Sequence, residues 1–217
     1  VFKPISSLNR LIILSPLLLC FLFSPKVTDL MVSNLRGGIS LAIFIFAMTL
    51  KSKILKNSTF FFAILLHQST SFLLAWLLLY RAQKAITLLK NLPKIKASIV
   101  ILISAPILIL ISMIVQPADK WGNGTLYTLM ILYLLFLFVI IDRRVLLTEE
   151  GFIAIALLVS LMMAFLFDYQ SIRLLSWALI FYLIFAVKSL NKQSTQLLFL
   201  FYSPMFSAMI YYWFANH

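Results

Sequence analysis

The chain has 217 residues, of which 63% are hydrophobic and 11% are charged. A soluble domain carries about 25% charged residues, so one core of this size cannot bury so much apolar material. The composition excludes an ordinary soluble enzyme and a nucleic-acid-binding module, and it predicts a membrane protein. The excess of 18 Lys and Arg over 6 Asp and Glu fits cytoplasmic loops, which collect basic residues in membrane proteins.

The hydrophobic residues form continuous runs separated by short polar segments. About 20 apolar residues span the ~30 Å hydrocarbon core of a bilayer, so the chain holds material for about seven spans. Continuous runs favour helices, because a helix satisfies its own backbone hydrogen bonds in lipid. We therefore predict an all-α fold, a polytopic integral membrane helical bundle that forms a single transmembrane domain over residues 1–217. The runs cover residues 11–23, 38–50, 58–80, 97–115, 125–141, 151–167, 174–187 and 195–214.

The run 58–80 determines the orientation of the bundle, and the sequence leaves two topologies open. If the run crosses once, which its length fits, Lys and Arg are distributed over both sides without a clear excess. If it dips in and returns, turning at His67 to Ser71 as a re-entrant hairpin, all but four Lys and Arg lie on one side, as the positive-inside rule expects. The four exceptions are Lys26, Arg36, Lys120 and Arg173.

Two of these exceptions lie at predicted helix starts. Arg36 belongs to the sequence NLRGG, and Arg173 ends the sequence DYQSIR. A helix start presents unpaired N–H groups and a partial positive charge, and Gly37 and Gly38 allow a ligand to approach the backbone closely. With the guanidinium groups, these features predict binding of a phosphate or pyrophosphate. The alternative is that both arginines only anchor their helices at the membrane interface.

His67 lies in the middle of an otherwise apolar run, where ionisable groups are costly and usually functional. It could orient an acceptor hydroxyl or serve as a general base, since its unperturbed pKa is near neutral. Alternatively, it is a neutral histidine that bonds a neighbouring helix. The other histidine is the terminal His217, and Cys20 is the single cysteine. We therefore expect no metal site and no cofactor.

A second group of candidates lies in two loops further along the chain. Asp168, Tyr169 and Arg173 share one short loop, in which a carboxylate base could lie beside a cation. A local ion pair between Asp168 and Arg173 is the structural alternative. Trp121, which precedes Gly122, could form a platform for a sugar ring, although aromatic residues also belong to the membrane-interface belt.

The order of these elements resembles the EpsG/Wzy-like polymerases of bacterial exopolysaccharide and O-antigen synthesis. The resemblance is carried by NLRGGISLAIFIFAMTLKSKILKNSTFFFAILLHQSTSFLLAWLLL, which looks like that family's Arg and small-residue helix start, basic turn, and apolar segment with a central His before Ser. A second, weaker similarity lies in DYQSIRLLSWALIFYLI, where an Arg precedes an apolar helix as it does late in the family's sequences. The family has a Tyr where this chain has Ser176 and Trp177.

The resemblance implies a glycosyltransferase that acts at the outer face of the bacterial inner membrane. It would pass a growing glycan from undecaprenyl pyrophosphate to a single lipid-linked oligosaccharide repeat unit. Arg36 and Arg173 would stabilise the pyrophosphate leaving group. His67, or Asp168 in its place, would act as the base for the acceptor hydroxyl. The implied partners are membrane lipids, the lipid-linked oligosaccharide, and the chain-length regulator and flippase of the same pathway.

Family members are longer than this chain, and the sequence begins with Val1 rather than Met. We therefore expect it to be the C-terminal part of a longer polymerase. A polysaccharide flippase or another membrane transporter, with the same residues along its pathway, is the main alternative. A glycan acyltransferase that uses His67 as its base is a further one.

Overall fold

A computed structural model describes residues 15–16, 19–20, 35–88, 96–115, 124–166, 173–189 and 192–215. Within these ranges the chain forms eight longer helices, one 3₁₀ helix and no strand, which confirms the predicted all-α fold. The α-helices are α1 (Leu35–Thr49), α2 (Lys53–Leu66), α3 (Thr70–Leu88), α4 (Ala97–Val115), α5 (Gly124–Ile141), α6 (Glu149–Leu166), α7 (Arg173–Ser189) and α8 (Lys192–Ala215), and the 3₁₀ helix is Arg143–Leu147.

The later apolar runs match helices α4 to α8 closely. The run predicted at 97–115 is α4, and the runs 125–141 and 151–167 are α5 and α6 within two residues at each end. The sequence also suggests an interface helix over 81–96, but α3 continues to Leu88 and covers its first half. Most of the run 11–23 lies outside the described residues.

The number of membrane spans is the point on which sequence and structure differ. The sequence predicts about seven spans. In the part of the chain that the structure describes, no helix combines the length and the hydropathy needed to cross a membrane.

Helix α6 is the centre of the bundle. Its residues from Phe152 to Leu158 are all buried, and it packs against α7, α4, α5 and α3. Helix α1 packs mainly on α2, and the rings of Phe44 and Phe181 join α1 to α7 at a centroid distance of 6.3 Å. The outward faces of the helices remain apolar. Large exposed hydrophobic side chains include Phe46, Phe61, Phe62, Leu65, Ile103, Phe136 and Leu200.

The long run 58–80 is divided by a break at residues 67–69. His67 has an extended backbone (φ −151°, ψ 110°) that ends α2. Ser and Thr hydroxyls compete for backbone hydrogen bonds and favour such breaks. The Thr70 hydroxyl donates to the His67 carbonyl at 2.6 Å. The break therefore falls inside the segment for which the sequence suggests a turn, His67 to Ser71.

The contacts of the two arms indicate that the chain reverses direction at this break. His67 contacts Trp177, near the start of α7. Further along α3, Arg81 binds Glu149 in the first turn of α6, and Lys188, at the end of α7, binds the neighbouring Glu150. Helix α3 therefore runs in the same direction as α7.

Helix α2 runs the opposite way. Its Phe60 contacts Phe44 at 4.8 Å, and Phe44 in turn contacts Phe181, one turn deeper along α7 than Trp177. From Phe60 to His67 the chain thus rises toward the start of α7. Helices α2 and α3 form an antiparallel hairpin whose turn lies near that end of the bundle.

Candidate functional site at the His67 turn

Three segments that are distant in sequence meet at one end of the bundle, which we call the His67 end. They are the start of α1 with Arg36 to Gly38, the hairpin turn at residues 67–69, and the start of α7 from Arg173 to Trp177. Two observed contacts bring them together. Ser40 of α1 bonds the hairpin, and His67 lies against Trp177.

A buried group of hydrogen bonds joins α1 to the hairpin. The Ser40 hydroxyl donates to the Ala63 carbonyl at 2.6 Å, and the Ser40 and Thr70 hydroxyl oxygens are 3.3 Å apart. The Ala63 carbonyl also accepts from the His67 amide at 3.1 Å. Ser40 and Thr70 are both fully buried. Because buried hydroxyls are costly without partners, these bonds fix where the turn lies relative to α1.

The His67 ring has a defined orientation within the turn. The Ser69 amide donates to His67 Nδ1 at 3.2 Å, so Nδ1 is an acceptor and the neutral imidazole carries its proton on Nε2. The ring meets the Trp177 indole edge to face, with centroids 6.3 Å apart. In this arrangement Nε2–H is the donor of the neutral ring. The two roles that the sequence suggests for His67, orienting an acceptor hydroxyl and acting as a general base, stay predictions.

Trp177 itself carries an unusual feature. The indole is fully buried, and its Nε1–H has no hydrogen-bond partner among the described residues. In the sequence, Trp177 stands out only as a departure from the family pattern, Thr70 only as part of the predicted turn, and Ser40 is not among the predicted site residues. The spacing of Ser40 from Gly37 and Phe44 on one face of α1 was a usable signal for Ser40, whereas the role of Trp177 depends on tertiary contact.

Arg36 lies one helical turn before Ser40, about 6 Å closer to the start of α1. Its side chain is exposed, whereas Gly37 is buried and Gly38 is half-buried. The salt bridges within the described residues do not include Arg36. The small buried Gly37 lets the start of α1 pack closely.

Arg173 holds the equivalent position on α7. It is the first residue of that helix and precedes Trp177 by one turn, as Arg36 precedes Ser40. The structure thus brings the two predicted helix starts to the same end of the bundle. Asp168, Tyr169 and Trp121 lie outside the described residues, so their predicted roles stay predictions.

The opposite end of the bundle, which we call the Glu149 end, has a different chemistry. Arg81 binds Glu149 at 3.1 Å, and Lys188 binds Glu150. Asp142 accepts from the backbone amide of Arg144 and from its guanidinium. These hydrogen bonds from Arg144 hold the pKa of Asp142 below its usual value near 3.8. At this end Glu149 and Glu150 form ion pairs, and Asp142 caps the 3₁₀ helix.

Across the described ranges, no three His, Cys, Asp or Glu side chains come together as metal ligands. No protein-family model, no curated protein and no solved structure matches the chain. The resemblance to the EpsG/Wzy-like polymerases therefore stays a hypothesis that depends on the quoted motifs and on the geometry of the His67 end.

Proposed function

We propose that the chain is a polytopic protein of the bacterial inner membrane that transfers glycans between lipid-linked oligosaccharides. The observation that carries this proposal is the convergence of the Arg36 helix start, the His67 turn and the Arg173 helix start at one end of the bundle. Cations and helix N-termini suit a pyrophosphate, and an oriented imidazole suits a sugar hydroxyl. All three belong to the segments that carry the family resemblance.

The membrane location is supported by composition and by the outward faces of the helices. Side chains such as Phe61, Leu65 and Phe136 are more than half exposed. Many exposed apolar side chains of this size favour a membrane or partner interface. The antiparallel hairpin of α2 and α3 agrees with the re-entrant topology, since both of its ends then lie on the Lys-rich side.

The proposed reaction assigns each group a task. Arg36 and the start of α7 would stabilise the charge that develops on undecaprenyl pyrophosphate as the glycan leaves it. His67 Nε2–H would orient the acceptor hydroxyl of the incoming repeat unit. Trp177 would fix the plane of the His67 ring. Asp168 remains the candidate base, because the geometry of His67 favours donation at Nε2.

The decisive experiment uses the complete reading frame in its own strain. Deletion, followed by separation of lipid-linked and surface glycans by length, should collapse a long ladder to a single repeat unit. Wild type should restore the ladder, and Arg36→Ala should reduce transfer on the order of a hundredfold, as loss of one charge-stabilising donor does. Lys51→Ala, an exposed cation outside the His67 end, is the matched control.

Two other outcomes would contradict the polymerase. An unchanged ladder on deletion would remove it altogether. Loss of all surface glycan, with lipid-linked units accumulating inside, would favour the flippase. The topology has its own test, because reporters fused after Lys51 and after Tyr80 should report the same cytoplasmic side. An external report after Tyr80 would contradict the re-entrant hairpin.

A further inference from the structure

A basic cavity lies near the Glu149 end, away from the residues assigned to glycan transfer. Its volume is about 540 Å³, and its walls come from α3, the start of α4 and the 3₁₀ helix. Three cations line it: Lys84, Lys96 and Arg144. These residues are distant in sequence, so only the packing of the three elements brings their charges to one place.

Two of the three cations of this cavity have no carboxylate partner among the described residues. Lys84 and Lys96 are exposed, and neither forms a salt bridge with a carboxylate of the described residues. Lys84 Nζ lies 6.0 Å from the centroid of the Tyr80 ring. Arg144 pairs with Asp142, but its side chain is still 61% exposed. The cavity therefore carries a net positive charge.

Neutral donors add to these cations. Ser98 lies in the cavity wall and belongs to the first turn of α4, a helix of 19 residues. N–H groups of a first helical turn have no intrahelical acceptor and favour anions. The amides of Ile99 and Val100 already donate to the Lys96 carbonyl, so only the amides at the very start of the turn, those of Ala97 and Ser98, remain for an anion. Cations, a hydroxyl and a helix start thus face one volume.

One part of the cavity wall is apolar. It includes Leu146 and Leu147 of the 3₁₀ helix, and Leu147 is 70% exposed. A cavity with a cationic rim beside an apolar wall matches an amphipathic anion better than a bare ion. Basic pockets between helices on the cytoplasmic side of membrane proteins bind phosphate headgroups in this way.

We propose that this cavity binds a phosphate ester, with the phosphate between Lys84, Lys96 and Arg144 and its organic part against Leu146 and Leu147. The ester can come from an anionic phospholipid or from a soluble phosphate compound. The site is separate from the His67 end, so it does not depend on the proposed glycan transfer.

The test is a calorimetric titration of the full chain in neutral detergent with dihexanoyl-phosphatidylglycerol, a short-chain anionic lipid. Dihexanoyl-phosphatidylcholine is the neutral comparison and should bind far more weakly. Lys84→Gln with Lys96→Gln should weaken binding of the anionic lipid roughly 30-fold, from the usual contribution of two lysines at a phosphate surface. The double variant Lys51→Gln with Lys53→Gln removes the same charge outside the cavity and should leave binding unchanged.

A second variant distinguishes binding inside the cavity from general electrostatic attraction to the protein surface. Ser98→Trp would place a bulky indole at the cavity wall, keep all three cations and still weaken binding of the lipid. Equal losses for the two lysine pairs, or full binding by Ser98→Trp, would overturn the proposal. Inorganic phosphate distinguishes the sources: if it binds alone with the same dependence on Lys84 and Lys96, the ligand is a soluble phosphate compound, and if only the lipid binds, it is a headgroup.

Discussion

The His67 end and the Glu149 end of the bundle are held together by different forces. At the His67 end, neutral bonds such as Ser40 to the Ala63 carbonyl position the turn, and the Arg36 guanidinium has no salt bridge within the described residues. At the Glu149 end, Arg81 and Lys188 are bound by carboxylates. Ion pairs neutralise Arg81 and Lys188 at the Glu149 end, although Lys84 and Lys96 of the basic cavity nearby have no carboxylate partner among the described residues.

The difference shows why a count of charges alone is a poor guide to function in this chain. Of the 18 Lys and Arg of the chain, ion pairs with Glu149 and Glu150 account for two at the Glu149 end. Arg36, Lys84 and Lys96 have no such carboxylate partner among the described residues. Arg36 lies at a helix start, and the two lysines line the basic cavity.

The largest change in stability that we expect concerns Gly151, which maintains the packing of the Glu149 end. A Cβ at this position would clash with the Val145 carbonyl oxygen and would lie 2.8 Å from the Thr148 hydroxyl. Gly151→Ala must therefore displace the 3₁₀ helix, at a cost of about 1–3 kcal/mol for overpacking. Thermal unfolding in detergent measures this cost.

Thr148→Ala is the matched comparison at the same contact. The Thr148 hydroxyl accepts from the Gly151 amide at 3.2 Å and caps α6, so its loss should cost only about 1 kcal/mol. If Gly151→Ala were no less stable than wild type, the close contact between the 3₁₀ helix and α6 would be wrong.

Asp142→Asn should give the next largest effect and should depend on pH. The carboxylate is almost buried and accepts charged hydrogen bonds from Arg144, which contribute about 1–2 kcal/mol. Because its pKa is lowered from 3.8, this stabilisation is present above pH ~4 and is lost as the pH falls through the lower folded-state pKa. Unfolding midpoints of wild type and variant should therefore differ at pH 7 and converge in strong acid. A pH-independent difference would exclude the ion pair as its cause.

Thr70→Val tests the His67 end. The variant removes the hydroxyl that donates to the His67 carbonyl and meets the Ser40 hydroxyl, with a loss on the order of 1 kcal/mol. It should also shorten the glycan ladder, since the backbone of His67 loses a constraint. Ser71→Ala removes an exposed hydroxyl that bonds Gln68 and should leave both readouts unchanged. If Thr70→Val and Ser71→Ala gave glycan ladders of the same length, a positioning role for Thr70 would be contradicted.

The smallest effect should come from the ion pair between Arg81 and Glu149. Both side chains are about one third exposed, so solvent screens the pair and its coupling should be about 0.2–1 kcal/mol. A double-mutant cycle with Arg81→Gln and Glu149→Gln measures this coupling by thermal unfolding. A coupling of several kcal/mol would show that the Glu149 end is less accessible to water than its exposure indicates.

Much of the local structure could be predicted from the sequence, because helix positions depend on local composition. The run at 97–115 coincides with α4, and the polar residues from His67 to Ser71 mark the break between α2 and α3. Arg36 and Arg173 are indeed the second and the first residues of their helices. Apolar runs and Ser or Thr clusters act over a few residues, so a linear pattern is sufficient to locate them.

Tertiary structure decided which of these residues meet. No local pattern indicates that Ser40 bonds the Ala63 carbonyl, that Trp177 lies against His67, or that Lys84 and Lys96 line one cavity with Arg144. These pairings arise from how helices pack around α6, and packing depends on the shapes of many side chains at once. Composition and periodicity therefore determined the helices, and only their packing created the His67 end and the basic cavity.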